Sequence, residues 1–195
     1  DLKAMIAYSS ISHMGVALLG IATLNPAGLS GAVTQMVAHG FVAGLLFLLV
    51  GLLYERTHRR DLLSYGSLNR IAPRFAAFLV LSLLAASSLP GSAGFVAEMQ
   101  VLVGAYSRWS GWVALLSLAV LISAAYALRA IGRLSIGPEN PPGSVLAVNL
   151  DDLKRHELAT AGLLFAGVIG LGVYPGALLH LTAASVARLA QPFGG

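Results

Sequence analysis

Cysteine is absent from this chain. That excludes a disulfide framework, thiol chemistry and any Cys-ligated zinc or iron–sulfur centre within it. Charge is scarce as well. Asp, Glu, Lys and Arg make up 10% of the 195 residues, against about 25% in a typical soluble domain. No G-x-G-x-x-G follows a strand pattern and no G-x-x-x-x-G-K-[ST] loop occurs, so the usual nucleotide and flavin signatures are missing. The chain by itself therefore has no visible means of moving electrons or hydrolysing ATP. What it has in excess is apolar surface: 57% of its residues are hydrophobic and the mean hydropathy is +0.81. A pI near 9.8 does not point to nucleic acid, because the basic residues lie in short loops between apolar runs, where they set membrane topology. The chain opens on Asp-Leu-Lys, with no initiator Met and no signal peptide, and reads as a fragment or a processed piece.

Five apolar segments stand out, each near the ~20 residues that span a bilayer. They cover about Ala4–Leu24, Leu29–Leu53, Phe75–Tyr106, Gly111–Gly132 and Leu158–Leu181. The third is too long for one straight span. Pro90-Gly91 divides it, so it is expected to be one crossing made of two half-helices. Pro175-Gly176 lies near the end of the fifth, and Ala177–Leu189 reads as an amphipathic tail at the interface. The expected fold is an all-α polytopic membrane protein of five transmembrane helices, a single membrane domain over residues 1–195. Asn25-Pro26-Ala27-Gly28 forms an uncharged turn. The loop YERTHRRDLLSYGSLNRIAPR after the second segment is long and basic, and Ser135–Arg155 is polar and rich in Pro and Gly. Gly40/Gly44 and Gly167/Gly170/Gly172 are expected to allow close helix packing.

Counting Lys and Arg at alternate ends gives an orientation. Lys3, Arg56, Arg59, Arg60, Arg70, Arg74, Arg129, Arg133, Lys154 and Arg155 collect on one side, Arg108 and Arg188 on the other. The first side is cytoplasmic by this rule, with the two long loops, and the C-terminus is outside.

Chemistry concentrates at three positions. His13 lies roughly 14 Å into the first segment and His39 roughly 15 Å into the second, at 1.5 Å per residue. Both are then near the middle of a ~30 Å hydrocarbon layer. Glu98 follows the Pro90-Gly91 break and is expected at a similar depth. An acid inside a membrane is costly and is read as functional by default, and non-helical backbone there is tolerated only under cover of protein or beside a water-filled cavity. A histidine exchanges protons near neutral pH. Three titratable groups at one level thus suggest a proton relay. Ser9 and Ser12 on the first segment and Gln35 on the second supply polar neighbours; Ser9 and Gln35 stand four residues before the histidines and share their faces. The plainer alternative for each His is a structural hydrogen bond between helices. A metal centre is disfavoured, because the two His and one Glu sit on three helices without local ligand spacing. His58, His156 and His180 read as solvated, and Tyr54, Glu55 and Arg56 as loop-packing residues.

Three stretches, DLKAMIAYSSISHMG (Asp1–Gly15), QMVAHGFVAGLLFLLVGLLYERTHRRDL (Gln35–Leu62) and LPGSAGFVAEM (Leu89–Met99), resemble the antiporter-like membrane subunits of respiratory complex I, the proton-pumping NADH–quinone oxidoreductase. The resemblance covers the whole chain, but only the last five of a family member's fourteen helices. It implies that Glu98 is the acid on the family's second broken helix, at the outer end of a proton path, and that His13 and His39 lie on the central hydrophilic axis. Glu at this position favours the family's M branch, since the L and N branches and Mrp-type antiporter subunits usually place Lys there. The resemblance further implies a multi-pass protein of the bacterial inner membrane with a periplasmic C-terminus. Its partners would be the lipid bilayer and other membrane-arm subunits, especially the L and N types. It implies no cofactor in this chain, with NADH, FMN, iron–sulfur clusters and quinone in partner subunits. The family's first broken helix, with its Glu–Lys pair and central Lys, would precede Asp1. The rival readings are a subunit of a Mrp-type cation/proton antiporter or of an energy-converting hydrogenase, and a structural membrane scaffold.

Overall fold

A computed structural model describes residues 1–62, 65, 67–135 and 150–193. Most of the expected polar loop Ser135–Arg155, and part of the loop after the second segment, lie outside the described residues. The rest is helical, with no strand among the described residues. In order come α1 (Leu2–Ala22), α2 (Pro26–Thr57), the single turn α3 (Leu68–Ile71), α4 (Pro73–Ala86), α5 (Ala93–Trp109), α6 (Val113–Ser135), α7 (Arg155–Val173) and α8 (Gly176–Ala190). Short 3-10 turns follow α5 and α8.

Local chemistry sets most of these bounds. Asp1 caps α1 by accepting the Ala4 N–H at 2.9 Å, satisfying a donor that a helix start leaves free. Asn25 caps α2, accepting from Gly28 N–H at 2.9 Å. Pro26 then takes the first helical position, where its missing N–H costs nothing. The expected four-residue turn is therefore shorter than its sequence suggests, and the helix begins inside it. Asn25 also donates to the Gly104 carbonyl at 2.8 Å, pinning the turn to α5. The third apolar segment is interrupted over residues 87–92, between α4 and α5. Here Ser88 and Gly91 adopt φ of +58° and +95°, so the interruption begins before Pro90. The fifth segment does not continue past Pro175 as the periodicity suggests. Proline pushes the preceding residue out of helical geometry. Tyr174 sits at φ −126°, ψ 70°, and α8 restarts as a separate helix.

Three helices, α1, α2 and α7, are long and apolar enough to cross a membrane, and a bent pair over residues 93–115 and 120–135 meets the same test together. At 1.5 Å per residue, the 32 residues of α2 run about 48 Å, well beyond a ~30 Å apolar layer. α2 is the hub, packing against α1, α4, α5, α7 and α8. Leu45, Leu46, Leu49 and Leu53 of α2 meet Phe75, Leu79 and Leu83 of α4 and Leu2 and Ile6 of α1 in one buried cluster. Large apolar side chains also cover the outside, among them Tyr8, Leu18, Leu121, Leu163 and Leu181, as suits a surface facing lipid.

Lipid tails are as apolar as leucine, so close van der Waals packing must hold such helices together. Glycines supply it on α1, α2 and α5. A Cβ on Gly31 would stand 2.6 Å from the Val101 backbone nitrogen, and one on Gly20 2.6 Å from the Gly28 carbonyl. Gly167 receives the Phe41 ring, and Gly172 lies against the backbone of Gly91 and Ser92. The expectation for Gly40, Gly44 and Gly170 is not met, since no atom among the described residues comes within 4 Å of a Cβ built there.

The end of the bundle that carries most of the Lys and Arg is tied by polar contacts. Arg56 pairs with Glu157 at 2.6 Å, joining the end of α2 to the start of α7, and Glu157 also accepts the Lys154 N–H at 2.7 Å. Ala72 cannot cap α4, so Asp152 does it from a distant loop, accepting from Arg74 N–H at 3.1 Å and Phe75 N–H at 2.9 Å. Gly31→Ala should destabilise the protein by about 1–3 kcal/mol through overpacking, whereas Gly51→Ala, which meets no atom within 4 Å, should be tolerated. Thermal unfolding of the two variants in detergent checks this, and equal melting would remove the glycine contact from the packing account.

Candidate functional site

α1 and α2 run side by side, and their registers place His13 against His39. The ring centroids are 5.2 Å apart at 58°. His13 is buried and His39 half-buried. The His13 Nε2 lies 2.9 Å from the Ala86 carbonyl. A carbonyl can only accept, so Nε2 carries the proton and donates. Nδ1 is then the proton-accepting nitrogen. It is buried and has no protein partner, as is also true of His39 Nδ1 and Gln35 Oε1. Buried polar atoms normally have a partner, in protein or ordered water. A cluster of such atoms on two facing helices is chemically suited to receive and pass protons.

Ala86 is the last residue of α4. Its carbonyl is among the terminal groups that a helix end leaves unsatisfied. His13 satisfies it from α1, at the edge of the helix break. Within the break, turn bonds hold the chain: Ser87 N–H to Leu83 O at 3.0 Å, Ser88 N–H to Ala85 O at 3.1 Å, Leu89 N–H to Leu84 O at 3.2 Å and Ser92 N–H to Leu89 O at 3.0 Å. α7 covers the break through Gly172. The expected helix-break residues Pro90 and Gly91 are thus at the exposed end of a compact turn, and the polar work is done by Ala86, Ser87 and Ser88.

Glu98 lies one turn into α5 and is buried. The polar side chain set against its carboxyl is Ser88, back in the break. The acid also lines a cavity of about 290 Å³ with Ser12, Gly15, Val16 and Leu19 of α1. Ser12 borders a second cavity of about 470 Å³, together with Ser9, Ser123 and Tyr126. Ser12 therefore stands between a serine-lined space on the α6 side and the space in front of Glu98. Ser9 shares the His13 face, but its hydroxyl proton goes to the Ile6 carbonyl at 2.7 Å, leaving only acceptor capacity.

The structure brings His13 and His39 together and sets Glu98 across the break from them. Ala86, Ser88, Ser123, Tyr126 and the Thr34–Gln100 contact at 3.3 Å were not singled out in sequence. A hydroxyl inside an apolar run was the available signal for Ser88 and Tyr126; nothing local marks a carbonyl such as that of Ala86. No group of three or more His, Asp or Glu placed to hold a metal occurs among the described residues.

Apolar helices around buried titratable groups and an interrupted helix define a multi-pass membrane protein with a polar interior. Residues 1–123 match the family described as NADH:quinone oxidoreductase/Mrp antiporter, TM, and the chain belongs to that family. It is 40% identical over 194 residues to the NADH-quinone oxidoreductase subunit M of Rhodobacter capsulatus, covering 99% of this chain and 37% of that protein. It is 38% identical over 191 residues to the NADH-ubiquinone oxidoreductase chain 4 of Marchantia polymorpha, covering 98% and 38%. Among solved structures it matches a chain of the respiratory complex I from Thermus thermophilus with bound NADH. The TM-score is 0.89 and the identity 36%, over 100% of this chain and 40% of that one. It matches the Mrp complex from Dietzia sp. DQ12-45-1b at TM-score 0.83 and 21% identity, over 98% and 43%, a likeness of fold. The chain thus spans about two fifths of the length of the relatives it matches.

Removing the His13 ring should orphan the Ala86 carbonyl at a cost of about 1–3 kcal/mol. His13→Ala is therefore expected to melt below His39→Ala in the detergent-solubilised full-length protein. The opposite order would show that His13 does not hold the helix end.

Proposed function

We propose that this chain is the C-terminal part of a proton-translocating, antiporter-like membrane subunit of an NADH–quinone oxidoreductase. The observation that carries the reading is the buried His13–His39 pair seated beside a broken helix that presents Glu98. A proton reaches the free Nδ1 of His39 or His13 through Gln35, the serines and water, which bridges gaps too long for direct transfer. The His13 Nε2–H stays on the Ala86 carbonyl throughout, so Nδ1 is the exchanging nitrogen. Glu98 takes the proton next and releases it outward. Redox chemistry belongs to partner subunits carrying NADH, FMN, iron–sulfur clusters and quinone. This chain contributes as a non-redox part of the translocase, its energy coming from quinone reduction elsewhere.

In this reading residues 1–195 form one membrane domain with five crossings. α4 and α5 together make the third, broken over residues 87–92. The Lys/Arg asymmetry supports a cytoplasmic position for the ends joined by Arg56–Glu157 and Asp152, and a periplasmic C-terminus in a bacterial inner membrane. The neighbours are other membrane-arm subunits, with L- and N-type subunits first among them. A cation/proton antiporter subunit is the second reading, favoured by the fold shared with the Mrp complex.

The test is proton pumping by Glu98→Gln in the full-length protein, reconstituted with its complex, with electron transfer and assembly followed in the same preparation. Pumping is expected to be lost in an assembled complex, and wild-type pumping is expected without sodium. Unchanged pumping in Glu98→Gln would leave the polar groups as helix-packing contacts, and a sodium requirement would favour the antiporter.

A further inference from the structure

The helix break touches both sides of the proposed path. At its α4 edge, the Ala86 carbonyl accepts the His13 Nε2 proton at 2.9 Å. Two residues on, the Ser88 hydroxyl is the polar side-chain group set against the Glu98 carboxyl. Ser88 and Glu98 are both buried. The helical register agrees with this contact. Glu98 lies four residues after Gly94 on the same face of α5, and helical side chains lean back toward the N-terminus. Ser88 Oγ sits against that same turn, 3.6 Å from the position of a Gly94 Cβ.

The backbone at Ser88 is itself constrained. Its φ of +58° is a region that residues other than glycine seldom occupy, and such conformations persist only where their surroundings hold them. The turn bonds from Ser88 and Leu89 back to Ala85 and Leu84 tie it to the end of α4, the end that His13 grips.

We infer that Ser88 is a positioning residue for Glu98, and that the six residues between α4 and α5 link His13 to Glu98. The inference rests on the reading of Glu98 as the proton-carrying acid. The Ser88 hydroxyl donates to the carboxylate and keeps it turned toward the break. A proton gained at His13 Nδ1 adds positive charge beside the carbonyl end of α4, where a helix carries partial negative charge. The His13 bond to Ala86 then becomes charge-assisted and shortens. Ser88, two residues along a turn with little freedom, carries that movement to the carboxyl.

The experiment uses the full-length protein in its assembled, reconstituted complex, with Ser88→Ala and Ser88→Gly. Both variants delete the hydroxyl. Glycine accepts the positive φ and alanine does not, so a loss common to both belongs to the hydroxyl. The readouts are proton pumping and the infrared carbonyl stretch of protonated Glu98, identified as the band that Glu98→Gln removes. Both Ser88 variants are expected to assemble, to pump about tenfold more slowly, the worth of one charged hydrogen bond, and to shift the Glu98 band to higher frequency. His13→Ala is expected to shift the same band through the break. Normal pumping and an unmoved band in both Ser88 variants, with Glu98→Gln still inactive, would overturn the positioning role and leave the acid's role standing. A defect in Ser88→Ala alone would overturn it too, by assigning the effect to backbone strain. A band unmoved by His13→Ala would remove the link to the histidine. Pumping that survives Glu98→Gln would instead sink the functional reading on which all of this rests.

Discussion

Residues 87–92 are not helical, and within them Ser88 and Ser92 are buried among the helices while Leu89, Pro90 and Gly91 are exposed. Buried backbone N–H and C=O groups need partners, and that requirement organises the surroundings of the interruption. Ser87, Ser88, Leu89 and Ser92 turn their N–H groups back onto nearby carbonyls. His13 reaches from α1 to take the Ala86 carbonyl. Gly172 lets α7 lie directly against Gly91 and Ser92. The contact that satisfies the Ala86 carbonyl also fixes which nitrogen of His13 is committed and which is left free.

The remainder of the bundle holds that place still. α2 contacts helices on several sides, and its glycine-lined contact with α1 and α5 brings the backbones of the three helices close together. At the basic end, Asp152 caps α4 from the loop before α7, and the Arg56–Glu157 pair is mostly shielded, with side-chain exposures of 14% and 10%. α4 is thus anchored at one end by a loop carboxylate and at the other by an imidazole.

Much of this was legible in the chain as written. Long apolar runs separated by basic loops announce a membrane protein because hydrocarbon rejects charge. Pro90-Gly91 announces an interruption of the third apolar run, and residues 87–92 do separate α4 from α5. His13 and His39, each about halfway along its apolar segment, were readable as neighbours in depth, and the 5.2 Å ring separation matches that reading. The bounds were less legible. Asn25-Pro26 reads as a turn but serves as cap and first residue of α2, and Pro175 separates α8 where hydropathy alone runs on. The glycine contacts divided unevenly: Gly167 and Gly172 meet neighbours, while Gly40 and Gly44 meet none among the described residues. Composition reports that a glycine permits close approach, and only the neighbouring helix determines whether an approach occurs.

By itself the sequence determined the class of protein, the approximate helical segments, the charge asymmetry between loops and which titratable residues lie within apolar runs. Each of these follows from local composition and from periodicity along one chain. Tertiary structure decided which nitrogen of His13 is committed and which is free, because that depends on a carbonyl 73 positions away. It decided that Glu98 lines a cavity beside α1, that Ser12 stands between two cavities, and that Asp152 caps a helix it does not belong to. Hydrogen bonds act over about 3 Å, and the partners that satisfy them here are distant along the chain. Only the packing of helices in three dimensions brings them within that range.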